Sequence, residues 1–438
     1  MTTTKRIVFI GAAGDMCRVA IERFTKAAGY GDWKLELYDI RPETLQDFVR
    51  KFPVGSATVG SFDLFDGAAL REAIDGAALV VLGAGPYNRT AEPVMEACIE
   101  KRVPYLDLDD DEASTRAALK LDTQAKEAGV AILICCGASP GLTNVMAADA
   151  ARDVDTVERI DVCWATGDEG PVPLGRAVLD HAIRGFAGPC WTWENGRAVQ
   201  HQTFVANDVM ALGNAMGDYR LYECAHPESV TLPRRWPEAD RIRVLGGLHP
   251  APTNGIMRGV AVAVQEGNIS MDEAIDFINE IMTDNNGSAK VWRHALSGLW
   301  GTVRRGEISA VEVLKFVAMS AVRKHPPFRG INYVKVTGTR DGAHVESVRR
   351  TPVCGPGTAW TTMASLTGSA TAAFMLLAVN ELGDLAGVLA PEDWADPESF
   401  YSALAATGGS PLHEVVQALV TPSSAVTQRK VLSGEASH

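Results

Sequence analysis

The first third of the chain alternates between short apolar runs and longer amphipathic segments. Apolar runs of strand length lie at residues 6–10, 34–38, 78–82, 104–106 and 130–134. Apolar positions with helical spacing lie between them, as at 90–101 and 112–128. Strands that alternate with helices predict a parallel sheet with right-handed crossovers, and continuous apolar runs indicate strands buried on both faces. We therefore predict a doubly wound α/β domain over residues 1–152.

Beyond residue 152 the pattern is that of a mixed α/β domain. A strand is predicted at 157–164, and helices are predicted at 174–186, 271–282 and 310–322. Two turn sequences, Glu194-Asn195-Gly196 and Arg340-Asp341-Gly342, predict β-hairpins. We place this second domain at 153–356, C-terminal helices at 357–420 and a polar, flexible tail at 421–438.

Composition and charge narrow the possible partners. The sequence is 46% hydrophobic and 22% charged, which is typical of a globular protein, and its net charge of -13 disfavours nucleic acid or an anionic membrane as a partner. The uncharged segment 355–380 is dominated by Thr, Ser, Gly and Ala, so we interpret it as a buried helix and not as a membrane span. No signal peptide is recognised, and we expect a cytoplasmic enzyme.

The cysteines and histidines do not suggest a metal site. The 8 cysteines form no C-x-x-C pair, and the 9 histidines form no H-x-x-x-H motif. We therefore predict reduced thiols and no bound metal.

A glycine-rich turn follows the first predicted strand and opens a helix. Gly11 allows the tight turn, and Gly14 lets the backbone approach a pyrophosphate at the positive helix N-terminus. Cys17 stands at the third glycine position and is small enough for close packing of the helix on the strand. Such a turn often carries no ligand, so its context decides the interpretation.

The end of the second predicted strand supplies that context. An acid at Asp39 accepts hydrogen bonds from the adenosine ribose and repels a 2′-phosphate, which favours NAD. Arg41 has the opposite preference, because its guanidinium can pair with the 2′-phosphate of NADP. We predict NAD, with NADP as the alternative. Without a ligand, Asp39 would only cap the chain before Pro42.

Two further turns are expected at the same end of the sheet. Gly83-Ala84-Gly85-Pro86-Tyr87 follows the strand predicted at 78–82 and should border the nicotinamide ribose. Residues 137–144 lead into another helix, whose start, with Pro140 and Asn144, is expected to hold a substrate carboxylate. The predicted dinucleotide-binding residues are Gly11, Ala13, Gly14, Asp15, Met16, Asp39, Ile40, Arg41, Asp63, Gly83, Ala84, Gly85, Pro86 and Tyr87.

Together these motifs resemble the saccharopine dehydrogenase-like oxidoreductase family. The shared features are the glycine loop 11–17, Gly85-Pro86-Tyr87 followed by Ala97-Cys98, Tyr105-Leu106-Asp107, and the helix start at 140–144, with weaker parallels at 226–228 and 387–392. The resemblance implies a Rossmann NAD(P)-binding domain, C-terminal helices that complete it, and a central domain that forms a homodimer. It also implies nicotinamide-dependent chemistry at a C–N bond of an amino acid or an opine-like amine.

Four residues are candidates for catalysis near the expected nicotinamide: Tyr87, Asp109, Asp110 and His181. Tyr87 is one, because its loop faces the nicotinamide in the resemblance; simple aromatic packing is the alternative. Asp109 and Asp110 belong to an acidic cluster whose mutual repulsion can raise a pKa, although helix capping also explains such a cluster. His181 shares a helix face with Arg184, and the two offer a proton relay and a carboxylate clamp, or else a solvated surface.

Arg234, in the sequence Arg234-Arg235-Trp236, is either a substrate anchor or part of an inter-domain salt bridge. The function predicted from all these features is NAD(P)-dependent hydride transfer at a C–N bond of an amino-acid or opine-like small molecule. Two alternatives stay open, namely reduction of a C=C or C=O bond and a non-catalytic dinucleotide-binding protein.

Overall fold

The N-terminal third folds as the alternating pattern predicts. The computed structural model describes residues 5–28, 33–53, 55–167, 174–213, 216–283, 287–322, 329–355, 358, 360–383 and 385–408; the predicted tail at 421–438 lies outside them. The elements of this part are β1 (Lys5–Ile10), α1 (Asp15–Ala28), β2 (Trp33–Tyr38), α2 (Glu43–Val49), β3 (Ala57–Gly60), α3 (Gly67–Ile74), β4 (Leu79–Leu82), α4 (Tyr87–Lys101), β5 (Tyr105–Asp107), α5 (Glu112–Ala118), α6 (Asp122–Ala128), β6 (Ala131–Leu133) and α7 (Leu142–Ala151).

These strands form one parallel sheet with an added edge strand from the C-terminal part. The strand order is β15-β6-β5-β4-β1-β2-β3, where β15 (Gly387–Leu389) pairs in parallel with β6. The helix predicted at 112–128 is divided into α5 and α6 by a 3-10 turn at Leu119–Leu121. At the start of α6, Asp122 accepts a hydrogen bond of 3.0 Å from the Val388 N–H, so the division lets α6 hold the edge strand.

The second part of the chain builds a mixed sheet and a group of helices. Its elements are β7 (Thr156–Gly167), α8 (Arg176–Gly185), β8 (Pro189–Glu194), β9 (Arg197–Gln202), β10 (Asn207–Gly213), β11 (Gly217–Glu223), α9 (Glu228–Arg235), β12 (Arg241–His249), α10 (Pro252–Gln265), α11 (Met271–Thr283), α12 (Ala289–Arg304), α13 (Ala310–Ala321), β13 (Gly330–Arg340) and β14 (Ala343–Arg350). The sheet order is β10-β11-β12-β7-β13-β14, and β8 joins β12 to β9. Both predicted hairpins are present, with Asn195 at φ 50° and Asp341 at φ 51°.

The C-terminal helices return to the first sheet. They are α14 (Met363–Glu381), α15 (Pro391–Trp394) and α16 (Pro397–Gly408). α14 packs on α1 and α16, and the contact with α1 is close because Gly368 has no side chain between it and Val19. By length and composition alone α14 could cross a membrane, but it is mostly buried within the protein, which is typical of a core helix. The fold class is confirmed, and the domain limits given above stay predictions.

Candidate functional site

A cleft of about 2410 Å³ lies where the carboxyl ends of the parallel strands meet the second part of the chain. Its lining comes from the loops after β1, β2, β4 and β5 on one side, and from β7, α8, β12 and the helices α10 to α13 on the other. Every residue predicted to bind the dinucleotide lines this cleft. Ligands of doubly wound sheets bind at this end, so the cleft is the candidate site.

The glycine loop has the form that a pyrophosphate requires. Gly11 has φ +85°, and a Cβ there would collide with the backbone of Ala84 in the neighbouring loop. A Cβ on Gly14 would meet only the Gly11 carbonyl oxygen, at 3.6 Å, so the backbone is open to a ligand here. The first N–H groups of α1, at Asp15 and Met16, have no intrahelical acceptor and line the cleft. This loop therefore fits a diphosphate.

Asp39 braces the glycine loop against the end of β2. Its carboxylate accepts hydrogen bonds from the N–H groups of Ala13 and Arg41, each at 3.0 Å. Asp39 therefore does more than cap the chain before Pro42, the alternative suggested by the sequence, because it also holds the glycine loop at Ala13. Both carboxylate oxygens already have a backbone donor, so Asp39 shapes the loop as well as facing the cleft.

The region beside Asp39 can receive an adenine base and a charged ribose substituent. Ile40 is 81% exposed, Phe65 is 54% exposed, and both line the cleft. Asp63 orders the loop between them by accepting a hydrogen bond of 3.0 Å from the Phe65 N–H. Arg41 is exposed, and its guanidinium forms no ion pair within the described part of the chain. These residues would hold the adenosine end of a dinucleotide.

Tyr87 begins α4 and lines the cleft beside the second glycine turn. Burial, then the neighbouring Cys17 and the acidic residues after β5, raises the pKa of Tyr87 well above its ordinary value. The phenol is therefore a neutral hydroxyl that can donate a hydrogen bond. Tyr87 thus lies beside the second glycine turn, and its role at the nicotinamide stays a prediction.

The acidic cluster at the end of β5 contains buried residues, such as Asp107 and Asp109, and residues that line the cleft, such as Asp110. Asp107 is buried and accepts hydrogen bonds from the Tyr105 hydroxyl at 2.8 Å and the Cys135 N–H at 2.7 Å. Burial raises the pKa of Asp107 to about 6. Asp109 is 2% exposed, accepts from the Asp111 N–H at 2.8 Å and does not line the cleft. The predicted catalytic role of Asp109 therefore has no support from its position.

Asp110 and His181 are brought together across the cleft. The Nε2 atom of His181, on α8, lies 3.4 Å from a carboxylate oxygen of Asp110, and both side chains are partly exposed. The predicted partner of His181, Arg184, lines the cleft too, but its guanidinium is paired with Asp180 at 2.7 Å. Arg184 is thus engaged on its own helix and is less available as a carboxylate clamp.

Three predicted substrate anchors do not line the cleft. Pro140 and Asn144 are buried, and Asn144 donates to Glu392 at 2.8 Å and to Thr231 at 3.1 Å while accepting from the Gly141 N–H. The polar groups of Asn144, at the start of α7, are therefore hydrogen-bonded inside the protein, because α15 packs against this helix. Arg234 pairs with Asp393 of α15 at 3.0 Å, which is the salt-bridge alternative. The predicted role as substrate anchors is therefore corrected for all three: Asn144 and Arg234 are paired with residues of α15, and Pro140 is buried away from the cleft.

A buried histidine and glutamate pair, which sequence reasoning did not select, lies in the cleft wall. His226 lines the cleft, and its Nδ1 forms a hydrogen bond of 2.5 Å with Glu228, at the start of α9. The other oxygen of Glu228 accepts from the Ser139 hydroxyl at 2.8 Å and the Thr143 hydroxyl at 2.7 Å. In the sequence, the only signal for this pair is His226-Pro227-Glu228, one of the weaker parallels to the family.

His226 and Glu228 each favour the charged form of the other. Burial by itself would lower the pKa of His226, but the Glu228 carboxylate and its hydrogen bond outweigh it and raise that pKa. Burial would raise the pKa of Glu228, but His226 and the two hydroxyl donors hold it below its usual value. Glu228 therefore stabilises the imidazolium form of His226 and holds its Nδ1 through a hydrogen bond of 2.5 Å.

The cysteines and acids offer no sign of a metal. Among the described residues, no group of three His, Cys, Asp or Glu side chains could hold a metal ion. The 8 cysteines are free and buried, and burial raises the pKa of Cys17 to about 12. A thiol of that kind is not a nucleophile at ordinary pH.

Comparisons with known proteins agree with this arrangement. Residues 7–133 match the family model described as the saccharopine dehydrogenase NADP binding domain. The chain is similar to the apo structure of saccharopine dehydrogenase (L-Glu forming) from Saccharomyces cerevisiae, at 13% identity over 92% of this chain and 98% of that chain, with a TM-score of 0.60. It is also similar to the C. glutamicum DAP dehydrogenase in complex with DAP, at 14% identity over 95% of this chain and 99% of that chain, with a TM-score of 0.42. Among curated proteins no sequence matches.

The likeness to the yeast structure establishes the fold, and the part of the chain that matches the family model contains the loops after β1, β2 and β4. The predicted resemblance is confirmed at this level: residues 7–133 match the model of the saccharopine dehydrogenase NADP binding domain, and the chain has the fold of saccharopine dehydrogenase.

Proposed function

We propose that the protein is an NADP(H)-dependent oxidoreductase that acts at a C–N bond of an amino-acid or opine-like substrate. The observation that carries the proposal is the pair of His226 and Glu228 in the same cleft as the dinucleotide-binding loops. Reduction of an imine needs a hydride on carbon and a proton on nitrogen. When bound, the nicotinamide supplies or accepts the hydride.

His226 is the group proposed to move the proton. In the reducing direction the Nε2–H of the imidazolium gives its proton to the substrate nitrogen as the C=N bond becomes a C–N bond, and the neutral ring then takes a proton from solvent. Glu228 keeps Nδ1 protonated and the ring oriented, through the bond of 2.5 Å. Asp110 and His181 also line the cleft, and both side chains are partly exposed to solvent.

The choice of NADP rests on Arg41 and on the description of the matching domain. Asp39 has both carboxylate oxygens occupied by backbone donors, whereas the Arg41 guanidinium is exposed beside it. A guanidinium in that place can pair with a 2′-phosphate. This proposal replaces NAD, the cofactor that Asp39 alone favoured.

The test is an NADPH oxidation assay, with the product identified by mass spectrometry. Mixtures of 2-oxo acids with amino acids or ammonia should consume NADPH and yield a secondary or primary amine. His226→Gln should lower kcat at least a hundredfold, whereas His344→Gln, at an exposed position outside the cleft, should have no effect. Turnover only with enones or aldehydes would reassign the reaction to a C=C or C=O bond, and no turnover would leave a dinucleotide-binding protein.

A further inference from the structure

The cleft continues into a part that the dinucleotide-binding loops and His226 do not use. It lies between α8 and the helices α10 to α13, and its walls are mainly apolar. Side chains that line it include Met257, Ile278, Met282, Trp292, Leu299 and Phe316. We refer to this part, between α8 and α10–α13, as the apolar branch.

Helix α13 leaves apolar surface uncovered in this branch. Its sequence from Ala310 to Ala321 is rich in Val, Leu, Phe and Met, yet none of its residues is buried. Phe316, Val317 and Met319 line the cleft, and Val317 is 50% exposed. A helix packed for its own stability would bury such side chains, so their exposure leaves apolar surface for a ligand.

Most of the charged side chains beside the apolar branch form ion pairs with one another. Arg176 of α8 is paired with Asp272 of α11, and Asp180 pairs with Arg184 within α8. Glu312 and Lys315 of α13 also line the cleft and are exposed; the Glu312 carboxylate accepts hydrogen bonds from the N–H and hydroxyl of Ser309, at the start of the helix. The walls of the branch thus favour an apolar group over a second charged one.

We propose that the substrate carries a long apolar group, an alkyl chain or a ring system, that occupies the apolar branch while its reacting carbon lies near His226. This inference rests on the proposed function, because it extends the same cleft. It assigns a substrate with one polar reacting end and one apolar end.

The test is a binding series in the presence of NADPH. Straight-chain 2-oxo acids and straight-chain primary amines of 4 to 12 carbons are titrated by calorimetry. Transfer of each methylene from water into an apolar site should tighten binding by about fourfold until the branch is full. Equal or undetectable binding along both series would overturn the proposal.

Two substitutions on α13 provide a matched comparison. Val317→Glu places a charge in the branch and should weaken binding of the ten-carbon ligand at least tenfold while leaving the four-carbon ligand unchanged. Leu314→Glu makes the same change at a residue that is 69% exposed and does not line the cleft, and it should alter neither. Equal loss with both variants, or with neither, would contradict the assignment of the branch.

These binding experiments test the apolar branch separately from the proposed reaction at a C–N bond. If chain length governs binding but no C–N bond is reduced, the apolar branch stands and the proposed reaction fails. If C–N reduction proceeds equally well with short and long substrates, the reaction stands and the apolar branch fails.

Discussion

The sulfur of Cys17, on α1, lies where a Cβ on Gly83 would have to be placed. Cys17 stands at the third glycine position of the cofactor loop, and Gly83 opens the second glycine turn. The two loops therefore fit together because one residue has a small side chain and the other has none. The missing third glycine is compensated in the neighbouring loop.

Gly83→Ala should destabilise the protein and weaken NADPH binding, because the new methyl group collides with the Cys17 sulfur. Overpacking of this kind costs about 1–3 kcal/mol of unfolding free energy. Removing the sulfur with Cys17→Ala should restore most of the loss, since the Cβ of residue 17 lies 3.6 Å from the added methyl group. Urea unfolding of the two single variants and the double variant measures the effect. Additive losses in the double variant would show that the two positions do not interact.

Arg41→Ala should weaken NADPH binding about tenfold or more and leave NADH binding unchanged, because only NADPH carries the 2′-phosphate. Charge-assisted hydrogen bonds contribute about 1.5–3 kcal/mol. Titration of both cofactors by fluorescence measures the ratio. An equal effect on the two cofactors would remove Arg41 from the phosphate site.

Asp39→Ala should instead weaken the binding of both NADPH and NADH, because it removes the acceptor of the Ala13 N–H and loosens the glycine loop. The same titrations apply, and Asp47→Ala on exposed α2 serves as the control. Stronger binding of NADPH alone in Asp39→Ala would mean that the carboxylate acts on the phosphate by repulsion rather than on the loop.

The reducing activity should fall as the pH rises through the raised pKa of His226, because the imidazolium is the proton donor. The raised pKa of His226 also contributes to the stability of the fold. This contribution is fully present when the pH is below the ordinary pKa of histidine, and it is lost as the pH rises through the raised pKa. Glu228→Gln removes the neighbouring charge, so the fall in kcat should move to lower pH. A pH profile of kcat for the wild type and the variant checks this, and an unmoved profile would exclude His226 as the donor.

Glu392 is a buried carboxyl group that should make the fold less stable at alkaline pH. Burial, then Asp393, raises its pKa from 4.5 to about 7, and it is 3% exposed. The stability that comes from this raised pKa is present below 4.5 and is lost as the pH rises through about 7.

Glu392→Gln keeps the hydrogen bond from Asn144 and removes the ionisation. The variant should therefore melt a few degrees above the wild type at pH 8 and close to it at pH 5, since about 1 kcal/mol shifts Tm by about 2–4 °C. Thermal unfolding at the two pH values measures this, with Glu398→Gln at an exposed position of α16 as the control. The same Tm difference at both pH values would rule out an ionisation effect.

Local sequence patterns were enough to predict five strands of the first sheet, both hairpins and the glycine turns that line the cleft. Apolar runs, glycine turns and the residues that end each strand act over a few positions, so their structure follows from neighbours in the chain. Three residues of β15 carry no such pattern, and their pairing with β6 depends on a helix far away in sequence.

The tertiary structure alone decided which polar residues reach the cleft. Asn144 and Arg234 have the chemistry of substrate anchors, but residues of α15 take their polar contacts: Asn144 donates to Glu392, and Arg234 pairs with Asp393. His226 was inconspicuous in the sequence, and the fold brings Ser139 and Thr143 against its partner Glu228. Side-chain chemistry is fixed by the sequence, whereas burial and partners depend on contacts between distant segments, and it is these contacts that set the charge of a buried group.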